Sequence, residues 1–203
     1  AEALPETMLY TDEAQVQDAV AKLAAVTDAA AKAKLADAAQ IIQNAEKALQ
    51  TIKDDKAAVE TAIAALPAPE DLVLANVADL NDIADQLDAL AEKAVTTDDI
   101  IGYDTYAAAC EKLEGVKAEV DAVKALIDAL PAVDEVGYGD RAAIEAAAQA
   151  LKALQAKYSK DTEAINQMVG AATLNDVQDA LAALDQKRDA LVRQIADTTF
   201  RIS

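Results

Sequence analysis

Around Gly102 stand Asp98, Asp99, Tyr103 and Tyr106, the side chains of this sequence best placed to meet a ligand. Carboxylates and phenols at the edge of a loop can hold a polar partner, and loops carried on a rigid scaffold often bind. The bland alternative is a packing adjustment, in which neighbouring helices shift register together. Asp98, Asp99 and Asp104 also suggest a calcium loop. That loop closes with a glutamate at its twelfth position, and here Ala109 and Cys110 occupy the place.

Other chemistry is missing by composition. The chain has no histidine and one cysteine, Cys110, so the commonest general base, the commonest metal ligand and the usual zinc sets are absent. No glycine-rich phosphate loop occurs. Asp79, Asp82, Asp85 and Asp88 recur every three residues, which on a helix drift round the surface rather than converge on one ion. They read as a solvated acidic face. Cys110 falls on an apolar stripe, as a small core residue does. Lys56 and Arg188 fall on or near such stripes and are candidates for setting helix register through ion pairs. No catalytic residue, metal or cofactor is expected, and the chain reads as non-enzymatic.

The elements that carry these residues follow from proline and glycine. Pro5, Pro67, Pro69 and Pro131 stand outside every stretch of helical periodicity, and so do all the glycines but Gly115. Between the breaks, apolar residues recur at three- and four-residue spacing, as in Val59, Ile63 and Leu66, or Leu151, Leu154 and Tyr158. The pattern predicts an all-α, elongated, antiparallel bundle of three coiled-coil-like arms, about 12–66, 76–130 and 140–200. Turns are expected at 67–75 and 131–139 and breaks near 96–102 and 169–173, all within one domain spanning 1–203. Asp12, Asn76 and Asp140 are the expected caps. Arms of ~55 residues would be roughly 80 Å long. In an antiparallel hairpin Gly102 and Gly170 would then stand at nearly one height. Leu66-Pro67 recurs as Leu130-Pro131, 64 residues later. That period also permits a string of smaller three-helix repeats.

Composition narrows the partners. There are 37 acidic and 18 basic side chains, a net charge of -19, which would repel nucleic-acid phosphates and anionic lipid. Aromatics are 3% of the chain, and much of the 53% apolar fraction is alanine, which suits close helix packing more than an enzyme core. No run of apolar residues is long enough to span a bilayer. The opening AEALPETM lacks an initiator methionine, as a mature N-terminus or a chosen chain boundary would.

The alanine-rich arms, the turns at Leu66-Pro67 and Leu130-Pro131 and the breaks at Gly102 and Gly170 resemble the acidic, alanine-rich surface coat proteins of African trypanosomes. The glutamic acid/alanine-rich protein and the helical bundles of variant surface glycoproteins are the nearest of these. The resemblance implies a cell-surface coat protein or antigen, a rod-like shield held through a glycosylphosphatidylinositol anchor outside this chain, with threonine-linked glycans. No Asn-x-Ser/Thr acceptor occurs. A second resemblance lies in Val123–Pro131 and Ala142–Ala147, which look like helical repeats of Gram-positive surface proteins. That likeness implies a receptor, adhesin or stalk module for a host or vector ligand.

Overall fold

In the computed structural model the described residues are 4–202, with side chains through 198, and the expected processing point before Ala1 lies outside them. The chain is 82% helix with no strand among the described residues. Eight α-helices run in order: α1 (Glu13–Ala24), α2 (Ala29–Lys34), α3 (Ala36–Ala64), α4 (Val77–Ala91), α5 (Tyr103–Asp128), α6 (Arg141–Lys157), α7 (Thr162–Val169) and α8 (Ala171–Ile202). By its contacts the chain forms two compact units, Ala1–Glu111 and Lys112–Ser203, so the boundary falls within α5.

The turns expected at 67–75 and 131–139 are present, and so are the breaks near 96–102 and 169–173. Gly170 closes α7 in the left-handed conformation (φ 73°), which glycine adopts without a Cβ clash. Two further breaks carry neither proline nor glycine. The stretch 12–66 is interrupted after Ala24, where Asp28 accepts a hydrogen bond from the Ala31 N–H at 2.7 Å and starts α2 afresh. The stretch 140–200 is interrupted at Tyr158–Asp161, where a single 3-10 turn precedes α7. Because of the first break, α1 lies beside α3 rather than in line with it.

A regular period underlies these elements. The 3-10 turns Tyr10–Asp12, Leu74–Asn76 and Tyr138–Asp140 start 64 residues apart, and each leads directly into a short helix, α1, α4 or α6. Each short helix is followed, after one or more breaks, by a long one: α3, α5 or α8. The long helices α3 and α5 end at Ala64 and Asp128, again 64 residues apart. Asp12, Asn76 and Asp140 do act as caps, but they reach backwards. Each accepts the backbone N–H three residues earlier, from Leu9, Val73 and Gly137, at 2.8, 3.0 and 2.8 Å. They close the turn that enters the helix rather than the helix's own first amides.

Buried positions keep the same period. Val16, Leu80 and Ile144 are core residues at equivalent places on the short helices. On the long helices Ala45, Leu49, Ile52, Val59 and Ile63 match Ala109, Leu113, Val116, Val123 and Ile127, all buried. In the first unit α1 covers the middle of α3, tied by the ion pair between Lys53 and Glu13. The end of α3 is covered instead by α4, and Val59 and Ile63 share one core with Ile83, Leu90, Val95 and Ile100. In the second unit α6 packs on α8, and Arg141 donates to Asp185 at 2.6 Å while the Tyr138 hydroxyl donates to the Leu184 carbonyl at 2.6 Å. Past that point α8 runs on with Leu191 and Val192 58% and 59% exposed.

Ile63, 2% exposed, should be costly to truncate. Ile63→Ala is expected to lower unfolding free energy by about 2–5 kcal/mol in urea titration, because a cavity opens under the α3–α4 joint. Ile41→Ala, at a 56% exposed site of the same unit, should stay within about 0.5 kcal/mol of the parent.

Candidate functional site

The expected ligand contacts fall on the connection between α4 and α5, inside the first unit. Leu90, near the end of α4, accepts the N–H groups of Lys93 and Val95 at 2.9 and 3.1 Å. Ala94 between them takes a left-handed conformation (φ 60°), which costs a residue with a Cβ about 1–2 kcal/mol. A 3-10 turn follows at Thr97–Asp99, then Gly102 at φ 86°, where a Cβ would meet Ile63 Cγ2 at 3.1 Å. This glycine is required both by its backbone angle and by the close approach of α3.

The structure separates the four candidate residues. Asp98 is exposed at the tip of the turn. Asp99 is occupied by the turn itself: its Oδ2 accepts the Thr96 N–H at 2.9 Å and the Thr96 hydroxyl at 2.8 Å. Those two hydrogen bonds hold its carboxyl below the usual aspartate range, with Lys56 adding a weaker pull. Tyr103 and Tyr106 come together. Their rings lie 5.9 Å apart and tilted by 49°, half-buried against the core. They wall a hollow of about 210 Å³ whose other side is Leu87, Leu90 and Val95. Burial pushes the Tyr106 phenol well above its ordinary pKa, helped by the adjacent Cys110 thiol and by Tyr103 and Asp88. The half-buried Cys110 is thus a neighbour of the tyrosine pair. Pockets for small molecules usually run from about 300 Å³ upward, so this hollow suits one protruding apolar side chain better than a metabolite.

Lys56 sets this site from α3, though not as the sequence suggested. It pairs with Glu60 on its own helix at 2.6 Å, and both side chains are largely buried. Glu60 in turn accepts the Ile101 N–H at 2.8 Å, pinning the α4–α5 connection to α3. Burial raises the Glu60 pKa, but the Ile101 amide and the Lys56 ammonium outweigh it and the net shift is downward. Sequence reasoning missed Glu60; its signal was the four-residue spacing from a lysine on an apolar stripe. Arg188 stays on the surface, paired with Asp185 and Asp189 at 3.1 and 2.8 Å and lying 6.0 Å from the centre of the Tyr138 ring. Asp79, Asp82, Asp85 and Asp88 are all exposed on α4.

No protein-family model, curated protein or solved structure matches the chain. Among the described residues no helix is long and apolar enough to cross a membrane.

The folded Glu60 carboxyl titrates below its ordinary 4.5, so its contribution is complete above that value and disappears as pH falls through the lower folded value. Hydrogen exchange at the Ile101 amide should therefore quicken, beyond the intrinsic pH effect, as pH drops below the ordinary glutamate range. Glu60→Gln should remove that step. Backbone angles give a paired test by thermal unfolding: Ala94→Gly should raise stability by up to about 1 kcal/mol, while Gly102→Ala should lower it by about 1–2 kcal/mol.

Proposed function

We propose that this chain is a non-enzymatic tandem-repeat helical module of a cell-surface protein, of the adhesin or stalk kind that carries or spaces binding parts. The observation that carries the reading is the 64-residue period of 3-10 turn, short helix and long helix, present three times with its caps and buried positions in register. Repeats that cover one another's apolar faces make modular, extensible structures with no need of a catalytic cleft. The absence of histidine and the net charge of -19 favour the same view, since they suit a solvated surface protein and oppose nucleic-acid binding.

The three-arm antiparallel rod would need α1 to run on into α3; the packing of α1 and α4 on the same helix α3 favours serial repeats instead. The coat-protein reading shares the non-enzymatic surface role but has only composition behind it. Ligand capture has its own specific support in the Tyr103–Tyr106 pair and its small apolar hollow, which fit an inserted side chain of a protein partner.

Two measurements bear on this. Deleting one whole period, residues 74–137, should leave a protein with the parent's helicity per residue and a cooperative unfolding transition, because α6 then stands where α4 stood. A molten or unfolded product would sink the repeat reading. Antibodies to the chain should stain intact cells of its source, and staining only after permeabilisation would reject surface placement.

A further inference from the structure

The long helix of each repeat is longer than the short helix beside it, so its last part needs a cover from elsewhere. In the first repeat that cover is α4, which buries Val59 and Ile63 near the end of α3. Leu191 of α8 stands two periods after Ile63 and is 58% exposed, with Val192 beside it 59% exposed. The other end of the period has the converse vacancy. Leu23, Val26 and Ile42 stand 64 residues before Leu87, Leu90 and Tyr106, which in the second repeat line the place where the end of α3 packs. In the first repeat no earlier long helix is present, and an open apolar groove of about 750 Å³ lies along Leu23, Val26, Leu35, Ala38, Ile41 and Ile42. Charge runs the same way. Residues 12–28 carry four acidic side chains against Lys22, while residues 186–198 carry Lys187, Arg188 and Arg193 against two aspartates, in a chain of net charge -19.

We propose that the chain associates head to tail: the end of α8 in one copy lies in the α1–α3 groove of a second copy, repeating between molecules the joint that α4 makes with the end of α3. The inference rests on the repeat reading of the packing and is independent of any surface role. The contact is heterologous, using different faces on the two copies, so each copy keeps one face open for the next.

The test is sedimentation of the full chain from micromolar to near-millimolar concentration, at about 0.15 M salt so that long-range repulsion is screened. Two variants accompany it, each checked for parental helicity: a tail variant, Leu191→Asp with Val192→Asp, and a groove variant, Ile41→Asp. The parent chain should grow in mass with concentration, and each variant alone should remain monomeric. An equal mixture should form a one-to-one pair, joined by the intact tail of the groove variant and the intact groove of the tail variant. A groove variant that still self-associates like the parent would mean that α8 pairs with α8, and would overturn the proposal. So would a parent chain that stays monomeric throughout, or a mixture that forms no pair.

Discussion

The mismatch in length between short and long helices governs this molecule. At ~1.5 Å rise per residue, the 12 residues of α1 cover roughly 18 Å, whereas the 29 residues of α3 run to roughly 44 Å. A helix with a continuous apolar stripe cannot leave half of it in water, since each fully buried Val or Ile side chain contributes about 1.5–3 kcal/mol. The last turns of α3 therefore take their cover from the next short helix, α4. No repeat completes its core alone, and the 64-residue period is the distance along the chain at which the next cover arrives.

The electrostatic features are local variations on that plan. Lys56 stands 64 residues before Val120, which is fully buried, so a cation occupies a place where the next repeat puts a core aliphatic. A lone buried ammonium would be strongly unfavourable; Glu60 one turn along neutralises it and then accepts the Ile101 amide of the α4–α5 connection. The replacement turns a purely apolar joint into one with a fixed polar contact, and it explains why this connection is the most constrained loop of the first unit. The tyrosine pair lies where α4, α5 and the end of α3 converge, and its hollow is what remains when two rings and several aliphatics meet without interlocking completely.

The all-helical class was legible in the sequence because it depends on nearest neighbours along the chain: alanine content, three- and four-residue apolar spacing, and the exclusion of proline and glycine from the periodic stretches. The turns after Leu66 and Leu130, the interruptions at Gly102 and Gly170, and the cap positions Asp12, Asn76 and Asp140 were local for the same reason. The breaks at Ala25–Asp28 and Tyr158–Asp161 were not, since their residues tolerate a helix and leave it only because the chain must fold back onto α3 or turn towards α8. The direction in which the caps reach also depends on the preceding turn, which periodicity does not describe.

Of the candidate site, the sequence placed Tyr103 and Tyr106 together by helical spacing, and it placed Asp98 and Asp99 on the same loop. Only the tertiary structure decided that Asp99 is spent on Thr96 while the tyrosines face a hollow, and that Glu60, 41 residues before Ile101, is the anchor. Periodicity reports which face of a helix is apolar, and it is blind to which neighbour covers that face. Coverage is settled when helices of unequal length are brought side by side, because only then does the uncovered remainder of each stripe, and the partner it requires, come into being.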